Sequence, residues 1–123
     1  MRRYVDGMNV IGSRPDGWWR DRHAAMERLV RQLERWVAAT GEDVTVVFER
    51  QPSPPIRSTL VEVAHAPRAR PDSADDEIVR RVRAEAEHPV WVVTSDRVLA
   101  DLASAAGALV APSSPFRAEL DAL

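Results

Sequence analysis

Apolar positions along the chain follow two different rhythms. Between residues 20 and 40, Met26, Leu29, Val30, Leu33, Trp36 and Val37 recur at helical spacing, and Gly41 stands where a C-terminal cap belongs. Residues 43–49 instead form a β-branched run of strand length, apolar enough to be buried on both faces. A short strand is predicted over 3–5, ending at Asp6-Gly7 and followed by a loop of turn residues over 12–17. Beyond a proline-rich breaker at 51–55, residues 60–65 alternate weakly, as an edge or half-buried strand does.

A basic loop at 67–71 leads into a predicted helix from Ser73 to about Glu87, with Ile78, Val79 and Val82 as its buried face. Residues 90–94 form the clearest core strand. Ser95 is predicted to cap a helix over 96–106 that Gly107 closes, and a strand at 109–111 and a short helix from about Pro115 follow. Strands alternating with helices at this rhythm predict an α/β fold with three layers, a central parallel sheet flanked by helices. A length of 123 residues suits one domain, 1–123, with a core of its own.

Composition narrows the chemistry. The absence of cysteine removes disulfides, thiolate zinc sites and cysteine nucleophiles together. All 17 basic residues are arginine, so a P-loop lysine, Schiff-base chemistry and a phospho-receiver site are excluded as well. No apolar run reaches membrane-spanning or signal-peptide length, so the expected location is the cytoplasm, with no membrane partner. Charge is uneven: residues 1–71 hold 12 arginines against 9 acids, whereas residues 72–123 hold 5 against 10. Such a division can combine a phosphate-binding rim with a carboxylate-lined centre.

Three acidic positions share one address in the predicted fold. Asp6 ends the first strand, Asp96 lies just past the strand at 90–94, and Asp75 and Asp76 open a helix. Parallel α/β sheets bind ligands beyond the carboxyl ends of their strands, where the strand order reverses. If the first and fourth strands are neighbours there, Asp6 and Asp96 converge within reach of Asp75. Clustered carboxylates repel unless a cation or raised pKa values relieve them, and an all-oxygen set suits Mg²⁺ or Mn²⁺. Asp75, Asp76 and Glu77 equally suit the positive end of a helix dipole, and Asp96 a first turn. Asp6 has no such alternative. A haloacid-dehalogenase site wants an aspartate where Met8 stands, and the glycine spacing of a dinucleotide fingerprint is missing.

Four segments in order, Val5-Asp6-Gly7-Met8-Asn9-Val10-Ile11-Gly12, Val46-Val47-Phe48-Glu49, Ser73-Ala74-Asp75 and Val92-Val93-Thr94-Ser95-Asp96-Arg97, resemble the NYN domains, in particular their YacP-like branch. These domains belong to the PIN-like nuclease superfamily. The resemblance implies a PIN-like fold and a metal-dependent ribonuclease centre using Mg²⁺ or Mn²⁺. It also implies metal-binding roles for Asp6, Asp75 and Asp96, with Asp76 at a position that is acidic in related nucleases. By the same resemblance, Asn9 is the residue of the turn after Asp6 that orients this aspartate or touches the substrate phosphate. Two departures stand out: Glu49 replaces the usual aspartate after Phe48, and Asp101 sits one step beyond the position where some relatives carry a further aspartate.

Arg97, Asn9, Trp18 and Arg14 are the candidate RNA contacts, Arg97 the best placed because it adjoins Asp96. Trp18 and Trp19 suit either base stacking or the commoner arrangement of one ring in the core and one over a helix. The expected function is an endoribonuclease cleaving RNA phosphodiester bonds. The alternative is an RNA-binding or ribosome-associated module of the same fold whose cleavage is weak or lost. A phosphohydrolase acting on small esters fits the carboxylates but not an open groove.

Overall fold

A computed structural model of the chain describes residues 1–68, 70, 73–85 and 88–123. In chain order the elements are β1 (Arg2–Asp6), α1 (Gly7–Ile11), α2 (Arg22–Thr40), β2 (Asp43–Phe48), β3 (Glu62–His65), α3 (Ser73–Ala84), β4 (Val90–Val93), α4 (Arg97–Ala105), β5 (Leu109–Ala111) and α5 (Ser113–Asp121), with a single 3₁₀ turn at Trp18–Arg20. All strand pairs are parallel, in the order β3-β2-β1-β4-β5. The chain winds outward from β1 to β3 and then crosses back to β4. The carboxyl ends of β1 and β4 therefore flank the point where the order reverses.

The sheet separates two apolar clusters. On one face Val5, Val44, Val46, Phe48 and Val93 pack with Leu29, Val30, Leu33 and Trp36 of α2 and with Phe116 and Leu120 of α5. On the other, Tyr4, Val47, Val90 and Val92 pack with Ile78, Val79 and Val82 of α3 and with Leu99 and Ala103 of α4. Alternating side chains along each strand serve the two faces in turn, the arrangement a fully covered parallel sheet requires. Trp36 and Trp91 are structural: the Arg3 guanidinium lies 5.0 and 5.1 Å from their ring centres.

Between β2 and β3 no helix intervenes. Residues 49–61 cover the α2 face themselves by burying Ile56 and Val61 in its core. That loop is fastened to α2: His23 Nε2 lies 2.8 Å from the Pro54 carbonyl, Arg31 donates to the Arg57 carbonyl at 3.1 Å, and Ser58 donates to Glu34 at 2.7 Å.

Several boundaries differ from the sequence expectation. Residues 7–11, for which the sequence pattern predicts no element, form a helix; five residues are too few to display a helical repeat. Asp96, not Ser95, caps α4, its carboxylate accepting from the Leu99 N–H at 2.9 Å. Ser95 instead accepts from the Ser113 N–H at 2.9 Å, at the start of α5, which begins two residues before Pro115. Gly41 caps α2 in the left-handed region, φ 73°, as its position predicted. Ala69 and Pro71 of the basic loop, and Glu87 at the expected end of the third helix, lie outside the described residues.

Candidate active site

Asp6 closes β1 and is only 6% exposed. Its carboxylate accepts a hydrogen bond from the Thr94 hydroxyl at 2.9 Å, across the gap between the ends of β1 and β4. The Thr94 oxygen in turn accepts from the Asp96 N–H at 3.1 Å, so one threonine holds both aspartates in register. Gly7 lets the chain turn here: a Cβ on it would stand 2.4 Å from the Phe48 ring. α1 therefore lies directly on β2.

Asn9 fastens this corner. Its side-chain oxygen accepts from the Ser95 N–H at 2.8 Å and from the buried Ser113 hydroxyl at 2.6 Å. It thus fixes the turn that presents Asp96, in addition to its place beside Asp6. The carboxyl end of α1 is closed by Arg117, which donates to the Val10 and Ile11 carbonyls at 3.3 and 2.9 Å. Thr94, Ser113 and Arg117 were not legible as site residues, because each works through a partner about ninety or more positions away.

Glu49, half-buried just past β2, forms the third side. Its backbone carbonyl accepts from the hydroxyl of Ser73, the first residue of α3, at 3.2 Å. The first turn of α3, with half-buried Asp75, is thereby tied to the carboxyl end of β2. Burial pushes the Asp6 carboxyl up to about 6; the Thr94 hydroxyl opposes this, while the negative charges of Asp96 and Glu49 add to it. No basic side chain pairs with Asp6 among the described residues. The expected convergence of Asp6 and Asp96 is present, with Glu49 added to it.

Other candidates are placed elsewhere. Asp76 is exposed and lines a separate hollow with Arg68, Arg70 and Arg80. Asp101 is exposed on α4. Among the described residues no group of three or more His, Cys, Asp or Glu side chains stands close enough to enclose a metal ion. Arg97 is exposed at the first position of α4, beside Asp96, and has no ion-pair partner among the described residues. Arg14 is ion-paired with Asp121 of α5. Trp18 is half-buried against the core, meets Trp19 edge to face at 5.8 Å and carries the Arg22 guanidinium 5.3 Å above its ring, whereas Trp19 is exposed. Trp18 thus packs against the core while Trp19 faces solvent.

A second buried carboxylate, Glu77 on α3, has a different setting. Arg80 donates to it at 2.6 and 2.9 Å and Arg81 at 2.7 Å, holding its carboxyl down at about 2. No helix among the described residues is long and apolar enough to cross a membrane.

A family model described as the YacP-like NYN domain matches residues 4–123. No curated protein matches the chain. Among solved structures, it is similar to Rae1 (YacP) from Bacillus subtilis at TM-score 0.81 and 23% identity, covering 99% of this chain and 74% of that one. A mutant of the same Bacillus subtilis protein gives TM-score 0.79 at 24% identity, covering 99% of this chain and 75% of the other. At this identity the likeness is one of fold: a five-stranded parallel sheet with helices on both faces.

Proposed function

Because the chain belongs to the YacP-like NYN domain family, a family of nuclease type, we propose that it is an endoribonuclease dependent on Mg²⁺ or Mn²⁺, centred on Asp6, Asp96 and Asp75 with Glu49 beside them. The observation that carries this reading is Asp6 itself: a buried carboxylate, pushed up to about 6, facing two further acids at the sheet's reversal point. Such a group is stabilised by a cation, and its all-oxygen surroundings fit a hard one. Mg²⁺ commonly keeps several waters and takes only one or two protein carboxylates, so a site short of a three-residue cage still suits it. When bound, the ion supplies an activated water and neutralises charge that builds on the phosphate.

The chain's own residues divide the remaining work. Thr94 orients Asp6 by donating to its carboxylate and holds the Asp96 backbone at the same time. The Leu99 N–H engages one oxygen of Asp96 and leaves the second outside that bond. Asn9 acts as a positioning residue through Ser95. Arg97, exposed beside Asp96, grips a backbone phosphate and so sets the strand against the carboxylates. Asp76, Arg14 and Trp18, engaged or turned elsewhere, stay outside this set.

A second reading, an RNA-binding module of the same fold without cleavage, is favoured by one observation: no three-residue metal cage forms among the described residues. One experiment separates the two. A defined single-stranded RNA is incubated with the protein in Mn²⁺, in Mg²⁺ and in EDTA, alongside Asp6→Asn and Asp75→Asn. Cleavage that needs the metal and disappears in both variants is the expected result. Equal cutting by the variants sinks the nuclease reading, and retention of RNA without any cutting selects the binding module.

A further inference from the structure

A groove of about 460 Å³ leaves the carboxylate cluster at Glu49 and runs between α1, the start of α2 and the loop after β2. Its floor is apolar and soft: Met8 of α1 and Met26 of α2, over Phe48. Arg22 and Arg50 stand on its rim, exposed and without ion-pair partners among the described residues; Arg22 is braced by the Trp18 ring. The exposed Gln51 amide and Ser53 hydroxyl add donors and acceptors along one edge. The walls are fixed in place, because the loop is fastened to α2 at Pro54, Arg57 and Ser58.

Each feature selects the same kind of occupant. The half-buried Met8 thioether, seated over the buried Met26 and Phe48, suits the face of a flat ring, the edge groups suit its polar rim, and the two arginines suit phosphates on either side of it. The volume lies in the range of about 300–1,000 Å³ usual for small-ligand pockets. A base paired and stacked within a duplex cannot present its face to this floor. Resting on the nuclease reading above, we infer that the groove takes one unstacked nucleobase next to the phosphate that Arg97 sets against the Asp6–Asp96 centre. Met8, Arg22 and Arg50 thus form a nucleotide subsite.

The test uses the full chain in EDTA, so that binding is read without cleavage. Short single-stranded RNAs carrying 5-iodouridine are photocrosslinked to it, and the attached peptides are mapped by mass spectrometry. Crosslinks are expected at Met8 or within 48–53. Met8→Asp should remove them and weaken binding about fivefold or more, the lower end of what stacking one base contributes. Arg50→Ala, an exposed change that leaves the core intact, should weaken binding several-fold and lower its salt dependence by about one phosphate contact.

Crosslinks confined to other surfaces, no binding at all, or equal affinity for a matching duplex would each overturn the subsite. Cleavage in Mn²⁺ with crosslinks elsewhere overturns the subsite and leaves the nuclease reading standing. Crosslinks in the groove with no cleavage under any metal support the subsite and overturn the nuclease reading.

Discussion

Asp6 and Glu77 are buried alike, at 6% and 5% exposure, yet their carboxyls are displaced in opposite directions, up to about 6 and down to about 2. The difference lies in what each meets. Glu77 finds two guanidiniums three and four positions along its own helix, so its charge is neutralised where it stands. Asp6 finds a hydroxyl and two more acids. A fold keeps an uncompensated buried charge only against its own stability, and such groups concentrate where chemistry is done. On the function proposed above, Glu77 belongs to the scaffold, and Asp6 to the site.

The sharpest way to break this contrast is to neutralise each group in turn. Asp6→Asn keeps shape and hydrogen-bonding capacity, so RNA cleavage should fall at least about a hundredfold, the scale set by removing one charge-stabilising group from a reaction centre. Cleavage rates at saturating Mn²⁺ measure this, and a loss below tenfold places Asp6 outside the centre. Glu77→Gln should leave cleavage per folded molecule intact. Stability should drop by about 2 kcal/mol, a melting point lower by roughly 5–10 °C, because the two arginines lose their counter-charge.

A subtler contrast is in pH. Glu77 ionises more readily folded than unfolded, so its contribution is complete above about 4.5 and fades as pH falls toward 2. Asp6 holds its proton more tightly in the folded state. Between its ordinary value of 3.8 and about 6, stability therefore declines as pH rises, and above 6 the full penalty applies. In EDTA at pH 7.5, Asp6→Asn should melt above wild type by about 1–2 kcal/mol in stability, a gain that vanishes at pH 3.5. Denaturant melts at the two pH values check it, and equal gains at both point to packing rather than charge.

The smallest expected effect comes from the metal. At about five times its dissociation constant, Mn²⁺ should add about 1 kcal/mol to wild-type stability and nothing to Asp6→Asn. Melting curves across a titration measure this, and identical responses in the two proteins remove Asp6 as a ligand.

The approach of Asp6 to Asp96 was readable because it follows from topology alone: in a doubly wound parallel sheet, acids at the carboxyl ends of adjacent strands must meet. Apolar runs at 43–49 and 90–94 gave β2 and β4 for the same reason, since buried parallel strands cannot hide their composition. α1 was not readable, because its five residues begin with glycine and its stability comes from Arg117, a tertiary partner. Ser95 and Asp96 are both competent caps by type; Ser113, far along the chain, takes the Ser95 hydroxyl and leaves the cap to Asp96. Glu77 shared its first-turn acidity with Asp75 and Asp76. Only the spacing to Arg80 and Arg81 distinguishes it, and that spacing specifies an ion pair once the helix exists.

Asn9 and Arg117 sew the beginning of the chain to its end, through bonds to Ser113 and to the Val10 carbonyl that span 104 and 107 positions. During translation β1 emerges well before α5. Until α5 is out, α1 has no guanidinium to close it, and the turn before Asp96 has no serine to hold it. Until then a growing chain carries Asp6 and Asp96 without the bonds that fasten the turns around them.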